Sequence, residues 1–549
     1  MKAEVVGPAL TSVPGLGALT LGGFLAQVCS EHAGREALVF DDPLVEGATL
    51  RWTYADLLRE SRAGARALLA SGVGPGDRVA ILMSNRPHAV AAFFGAAMTG
   101  AVVNPLSTFS TAPELRQLLD LADPVIVLAQ TRMGRRDFAA ELAGSGRRVV
   151  FVGRDWDAFL AEGEALSDDA LDRAAEAVTP DSDGLLIFSS GTTAKPKGVQ
   201  HPHRAPSLQF WVQSRVFGRT PQTRMWTALP MFWTAGINSA MGATLAAGGC
   251  WVMQEGFDPG QALALMTRER VTEPYTLPHQ ARALEEHPDW LTADLSALRQ
   301  VYGKSVFTRH PSVHGDPSWQ MPVGWGMSET CAFVSAHQSD SGREVVRRSL
   351  GKILPGAEVK VIDPESGATV DLGSEGEIAV RGLTLMSGYL GKKPADCFDT
   401  DGWFRTGDAG SLDENGELHW TGRRTEMIKT GGANVSPAEI EVQMRAAPGV
   451  RLARVLAIPD ERLDQIVVLC VERTDGPDGD AVNPQSLQAF LRERVAAYKV
   501  PKRVLIFEAG QIPLTASATK VRDEELRQLV LARLAGPDAA NATASEGAR

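Results

Sequence analysis

The chain has 549 residues, 44% of them hydrophobic and 22% charged, with a formal net charge of −11 at pH 7. That length exceeds what one hydrophobic core serves, so at least two units are expected, and the composition is that of a globular protein, against a disordered or membrane class. An acid excess of this size gives no basic field to gather a phosphate backbone, so nucleic acid is not expected as a partner.

The opening residues lack the basic start, apolar run and small-residue cleavage site of a signal peptide, which predicts a cytoplasmic protein. Segment 78–83 reads as a strand, the run after Pro87 as a helix with its first-turn proline, and 101–103 as a second strand. The apolar stretch from Ala89 to Val103 is short for a membrane span and rich in Ala and Gly, so it is predicted to be buried rather than to cross a bilayer. Apolar strands recur at 125–128, 149–152 and 185–188 with helical patterns between them, which predicts largely parallel sheets covered by helices. Past Gly422 the alternation restarts, with strands at 455–458, 466–471 and 504–507 and an amphipathic helix over 484–497. The fold class is therefore α/β, with a large N-terminal domain of several lobes, residues 1–424, and a small C-terminal α/β domain, residues 425–533. The boundary falls in the charged run Gly422-Arg423-Arg424-Thr425-Glu426. Residues 534–549 are too small and polar to bury anything and read as a disordered tail. Cys29, Cys250, Cys331, Cys397 and Cys470 are scattered, odd in number and in no metal-ligand spacing, which suits a reducing compartment.

Chemistry concentrates after the strand at 185–188, in Ser189-Ser190-Gly191-Thr192-Thr193-Ala194-Lys195-Pro196-Lys197-Gly198. A polyphosphate needs several donors converging on its oxygens and a backbone that can approach closely, which glycine permits. This turn supplies both, although the Gly-Lys-Ser/Thr ending of a Walker loop is missing. Taken alone, such a turn is more often simply solvated.

Its residue order resembles the phosphate loop of the adenylate-forming superfamily, which contains acyl-CoA synthetases, aryl-CoA ligases, nonribosomal adenylation domains and luciferases. Further motifs follow in the family's order. Leu229-Pro230-Met231-Phe232-Trp233-Thr234-Ala235-Gly236 resembles the segment leading into the acyl pocket, and Gly324-Trp325-Gly326-Met327-Ser328-Glu329-Thr330 the adenine and magnesium motif. The stretch 376–389, Asp401-Gly402-Trp403-Phe404-Arg405-Thr406-Gly407-Asp408, the stretch 422–441 and the C-terminal lysine motif 513–520 complete the series.

The resemblance implies an acyl-CoA ligase that makes an acyl-adenylate from ATP and a carboxylic acid and then passes the acyl group to coenzyme A. Ser189, Ser190, Gly191, Thr192, Thr193 and Lys197 would hold phosphates, Ser328 the α-phosphate, and Glu329 a Mg²⁺ ion. Gly324, Trp325, Gly326 and Met327 would hold adenine, Trp325 by stacking, with Gly303, Lys304 and Ser305 bordering the nucleotide. Asp408 would accept from the ribose hydroxyls, and Arg423 would add a cationic fork near ribose and phosphate. Lys520 would bridge the carboxylate and α-phosphate during adenylation. Rotation of the small, mobile domain would then bring Lys429, Gly431 and Gly432 to the adenylate, with Thr425 at the hinge. Trp233, Thr234, Gly236, Ile237, Asn238, Tyr302 and Cys331 would form the acyl pocket, a mixture that points to an acid bulkier than acetate, aromatic or polycyclic. His201 and His203 follow the phosphate loop with no further ligand at metal spacing, so they read as neighbours of the nucleotide rather than a metal site. The excess of arginine over lysine suits a GC-rich bacterium and specialised metabolism. A homo-oligomer and a partner adenylating enzyme are left open.

Four departures stand out. Ala194 occupies a usual glycine of the phosphate loop, Thr519 the glycine before the catalytic lysine, Thr425 the usual hinge Asp or Lys, and Tyr302-Gly303-Lys304-Ser305 the usual Gly-Gly-Ala segment. Two of these bear on adenylation, so a competing function is that of a variant that mainly thioesterifies a preformed acyl-adenylate, using acyl-AMP in place of ATP. An adenylation enzyme loading a carrier protein, a luciferase-like oxygenase and a degenerate scaffold compete as well.

Overall fold

The structure, a computed structural model, describes residues 1–45, 47–189, 196–303, 305–342, 344–423, 427–474, 476–508, 510–514 and 521–535, with Arg423 described by its backbone alone. Ser190 to Lys195, Lys304, Arg424 to Glu426 and Thr515 to Lys520 therefore lie outside the described residues, as does 536–549.

The α/β class expected from the sequence is the one observed. A seven-stranded sheet runs Gly388–Tyr389, Lys197–Pro202, Asp183–Ser189, Val102–Pro105, Arg78–Leu82, Ile126–Gln130 and Arg148–Val152. Its last five strands are parallel, and Lys197–Pro202 returns antiparallel on Asp183–Ser189. A second, mostly parallel sheet has the order Glu273–Pro274, Arg224–Thr227, Cys250–Met253, Glu36–Asp41, Thr49–Thr53. The helix Pro87–Met98 belongs to the core that the two sheets share, with Pro87 at its first turn. All but one of its residues are buried, which is why the sequence shows no polar face. At Gly95 a Cβ would lie 2.8 Å from the carbonyl oxygen of Ser61, so the backbone of Tyr54–Ala70 approaches as closely as only glycine allows. No helix among the described residues is long and apolar enough to cross a membrane.

An antiparallel sheet, Glu4–Val6, Ala357–Ile362, Gly376–Gly382, Phe404–Leu412 and Leu418–Arg423, and a short one, Gly324–Met327, Ala332–Ala336 and Lys352–Ile353, share a third core. From residue 428 onward the chain builds a separate sheet, Ala433–Val435, Ile428–Thr430, Asp464–Arg473 and Val450–Asp460, with Arg503–Phe507 parallel on Asp464–Arg473. The cores on its two faces are drawn from this sheet's own segment of chain.

Two sequence expectations need correction. The amphipathic helix expected over 484–497 is Pro484–Arg492; the chain then turns to bury Val495 and Ala496, and the Arg494 guanidinium donates to the Phe490 carbonyl of the last turn at 2.7 Å. A 3₁₀ turn, Ala497–Lys499, follows instead. The last helix, Asp523–Ala535, runs past the 533 boundary, with Leu526 and Val530 buried in the core as its anchors.

The buried pair Arg219 and Glu273 ties the helix-rich layer to the edge of the second sheet. The guanidinium donates to both carboxylate oxygens at 2.8 and 2.6 Å, and the two side chains are 0% and 1% exposed. Neutralising one partner leaves a buried charge uncompensated, which costs about 3–5 kcal/mol. Glu273→Gln is expected to lower the large domain's unfolding free energy, measured by urea titration, by that loss, whereas Lys2→Gln, whose pair with Asp371 is exposed, should change it by less than about 1 kcal/mol.

Candidate active site

A cleft of about 1560 Å³ lies between the large sheets and the sheet that starts at residue 428. Single-ligand pockets hold about 300–1,000 Å³, so this one has room for more than one substrate.

One wall is the strand Gly324–Met327. Its neighbour Ala332–Ala336 approaches so closely that a Cβ on Gly324 would lie 2.4 Å from the Ser335 carbonyl oxygen, and one on Gly326 would lie 1.8 Å from that of Ala332. Both glycines are steric requirements of the wall. The turn after it is strained, because Cys331 and Ala332 hold φ of 58° and 127° without being glycine, a conformation that surrounding bonds must enforce. Asn238 supplies one of them, donating from Nδ2 to the Cys331 carbonyl at 2.6 Å and to that of Thr234 at 2.9 Å. Thr330 supplies others, its hydroxyl accepting from the Met327 amide at 3.0 Å and donating to the Ala332 carbonyl at 2.8 Å.

Trp325 lines the cleft and is 6% exposed, its indole N–H donating to Asp408 Oδ2 at 2.9 Å. Asp408 stands on Phe404–Leu412 directly opposite Arg423 of Leu418–Arg423, so strand register brings the two positions together. The Asp408 amide donates to the Thr406 hydroxyl at 3.1 Å. Glu329 lines the same cleft at 9% exposure and accepts a 2.8 Å hydrogen bond from the Tyr389 hydroxyl, while the Lys197 ammonium sits 5.2 Å from the Tyr389 ring centroid. Ser328 is held through its carbonyl, which accepts from His201 Nε2 at 2.8 Å. A carbonyl can only accept, so Nε2 carries the imidazole proton. Ser189 and Lys197 face each other at the end of the antiparallel pair Asp183–Ser189 and Lys197–Pro202.

Trp233 and Thr234 line the cleft, with Phe232 beside them. Gly236, Ile237, Asn238 and Cys331 are not among its lining residues but pack behind them; at Gly236 a Cβ would lie 2.0 Å from the Pro230 carbonyl oxygen. Tyr302, Gly303 and Ser305 do not come to the wall either. Ser305 caps the 3₁₀ turn Val306–Arg309, accepting from the Phe307 amide, and Tyr302 is turned outward at 41% exposure. From the other side, Gly431 and Gly432 make the turn between Ile428–Thr430 and Ala433–Val435 at φ of 55° and 85°. A Cβ on Gly432 would lie 2.9 Å from Leu277 of the large body, and Lys429, Gly432 and Asn434 line the cleft. The residues that motif reading missed are Tyr389, present in the 376–389 motif but given no role, and Tyr498 and Lys499, whose only signal is aromatic and basic character shortly before Pro501.

Comparison with known proteins agrees with this geometry. The family model described as AMP-binding enzyme matches residues 25–390, and that of the AMP-binding enzyme C-terminal domain matches residues 439–519. The chain belongs to this family of adenylate-forming enzymes. Within it, the chain is an acid–thiol ligase of the AMP-forming acyl-CoA type. It is 34% identical over 488 residues to a feruloyl-CoA synthase of an Amycolatopsis species, covering 87% of this chain and 94% of that protein. An indoleacetate–CoA ligase of Aromatoleum aromaticum is 32% identical over 521 residues, covering 92% of this chain and 98% of the relative. An amide bond synthetase from Marinactinospora thermotolerans superimposes with a TM-score of 0.76 at 29% identity, covering 92% of this chain and 99% of that one.

Burial pushes His201 and His203 down from 6.5 to about 4. Because the folded value lies below the unfolded one, the neutral rings leave stability intact above pH 6.5 and it falls as pH drops toward 4. Each ring adds a slope of about 1.4 kcal/mol per pH unit. His201→Gln, which keeps a donor for the Ser328 carbonyl, is expected to remove one ring's slope from the unfolding free energy measured by urea titration from about pH 7 to pH 4.5.

Proposed function

We propose that the acid this ligase activates is a planar aromatic carboxylic acid, and that the two half-reactions are run by two arrangements of a large domain, residues 1–424, and a small one from 425 to the end of the last helix. The observation that carries the substrate class is the aromatic wall of the cleft. Phe232 and Trp233 stand edge-to-face with ring centroids 5.8 Å apart, and Phe109 packs on both at 5.1 and 6.2 Å. Flat π faces at these spacings reward a planar ring more than a flexible chain. The names of two relatives, a feruloyl-CoA synthase and an indoleacetate–CoA ligase, support the same class.

In this reading Trp325 and Asp408 hold the nucleoside, Asp408 accepting from ribose while the indole N–H fixes its carboxylate. Ser189, Lys197 and the loop between them take the phosphates, Arg423 lies beside the ribose and α-phosphate, and Ser328 donates to the α-phosphate. Glu329 fits a Mg²⁺ site, because this ion keeps most of its waters and needs only one or two carboxylates plus substrate phosphates, and the Tyr389 bond pre-orients the carboxylate. The ion would offset the phosphate charge that repels the attacking carboxylate. Lys520 supplies positive charge to the carboxylate and α-phosphate in adenylation. Lys429 and Gly432 line the cleft with Gly431 beside them in the same turn, and the three would form the passage for the thiol arm, where the missing side chains let backbone and pantetheine approach. The relatives named above as CoA ligases carry out the complete reaction by their names, which favours it over a chain limited by Ala194 and Thr519 to preformed adenylates.

A panel of acids tests this reading. Ferulate, coumarate and indoleacetate are expected to drive ATP–pyrophosphate exchange and thioester formation at least tenfold better than acetate or octanoate, and activity confined to the aliphatic acids would refute it. Lys520→Ala is expected to lower exchange about 10²-fold or more while leaving CoA transfer from the synthetic acyl-adenylate within about threefold of wild type.

A further inference from the structure

Among the described residues, most side-chain contacts between the chain after residue 428 and the large body are exposed or long, as where the Lys429 ammonium sits 5.0 Å from the Trp420 ring centroid. Arg462 and Glu286 stand 3.9 Å apart and are more than half exposed. The Thr111 hydroxyl donates to the Arg494 carbonyl at 3.4 Å, and the rings of Phe109 and Tyr498 are 6.4 Å apart. One contact differs. The ammonium of Lys499 donates to Glu114 Oε1 at 2.8 Å and to Glu439 Oε1 at 2.7 Å, with all three side chains 12–13% exposed.

Glu114 comes from the large body and is itself fixed. It stands in the first turn of Ala112–Ala122, where its Oε2 accepts from the Thr111 amide at 2.7 Å to close a capping box, and Oε1 is the oxygen that meets Lys499. Glu439 belongs to the first turn of Pro437–Met444, directly after the strand that follows the Gly431-Gly432 turn. Burial pushes the Glu439 carboxyl up, and Lys499 draws it back. Burial opposes the charge on Lys499, but Tyr498, Glu439 and Glu114 outweigh it and raise its value above the ordinary one. The cluster thus holds one cation between two carboxylates, one on each body.

We propose that Lys499 is a positioning residue for the thiol-transfer step: its bridge from Glu439 to Glu114 latches the small domain in the arrangement that presents Lys429 and Gly432 to the cleft. The inference rests on the alternating-domain reading above. A latch that must release in every turnover cannot be a large dry interface. A buried ion pair suits the task, since solvation of the parted charges offsets most of what the contact contributes. Its geometry also couples to the acyl end. Tyr498, the residue before Lys499, packs on Phe109, which also contacts Phe232 and Trp233, so docking adds an aromatic side chain from the small domain to the wall of the cleft.

The test uses the full-length enzyme, the acid with the strongest exchange in the panel, and that acid's synthetic adenylate. Glu114→Gln keeps an oxygen for the capping box and removes only the charge. We expect it to slow single-turnover thioester formation from adenylate and CoA by about tenfold, with ATP–pyrophosphate exchange within about twofold of wild type. Lys499→Met should do the same, and the double variant should be no slower than the slower single, because both remove one bridge. Thioester formation at wild-type rate in Glu114→Gln would overturn the proposal, as would an equal fall in both half-reactions or a double variant with fully additive losses. Should Lys499→Met fail to fold, the split between half-reactions in Glu114→Gln still decides. A wild-type enzyme that makes no thioester from any adenylate overturns the alternating-domain reading and the latch together, whereas a competent wild type with indifferent variants overturns the latch alone.

Discussion

The indole N–H of Trp325 donating to Asp408 is the contact on which the cleft depends. It joins two sheets of different construction, the short Gly324–Met327 wall and the long strand Phe404–Leu412, at the point where both line the cleft. A carboxylate buried to 6% exposure is costly unless it is satisfied, and the indole N–H of Trp325 supplies one of its partners. The pairing of Asp408 with the Arg423 position follows from strand register alone and needs no loop to bring it about.

Around that contact the site is held by backbone geometry more than by side-chain packing. Gly324 and Gly326 let the neighbouring strand approach, Cys331 and Ala332 adopt a left-handed turn, and Asn238 and Thr330 pin the carbonyls on either side of it. Isolated residues would not hold such a turn, so the wall is preorganised by bonds made from elsewhere in the chain. Asn238, expected among the acyl-pocket residues, belongs to this support.

The sequence made the 324–330 wall of the cleft and the hairpin ends at Ser189 and Lys197 legible because both are local. The 324–330 motif is a strand and turn whose neighbours in sequence are its neighbours in space, and Ser189 and Lys197 flank one hairpin. Fold class was legible for a similar reason, since short apolar strands alternating with helical patterns have few layered solutions. What could not be read was anything made by two distant segments. Nothing near Glu114 announces Lys499, and Tyr389 and Glu329 are far apart in the chain. The helix expected through 497 failed for a related reason. Apolar spacing continues past Arg492, with Val495 and Ala496 buried, but the chain serves that burial by turning, which carries Tyr498 and Lys499 toward the large body.

A chain with net charge −11 that handles polyanionic ATP and CoA poses an electrostatic question, and the cleft answers it locally. At physiological ionic strength the field of exposed charges fades over about 8 Å, so the distant acidic surface contributes little to what a ligand feels inside. The carboxylates that line the cleft are largely engaged. Glu377 is bonded to Arg405 at 3.1 Å, Glu114 and Glu439 share Lys499, Glu329 accepts from Tyr389, and Asp408 accepts from Trp325. Lys197 and Lys429 instead rest over aromatic faces, those of Tyr389 and Trp420, which hold a cation in place without neutralising it. Arg405 and Lys499 offset part of the carboxylate charge, while Lys197 and Lys429, held over π faces, keep theirs on the cleft wall, where an acidic protein can meet two polyanions in turn.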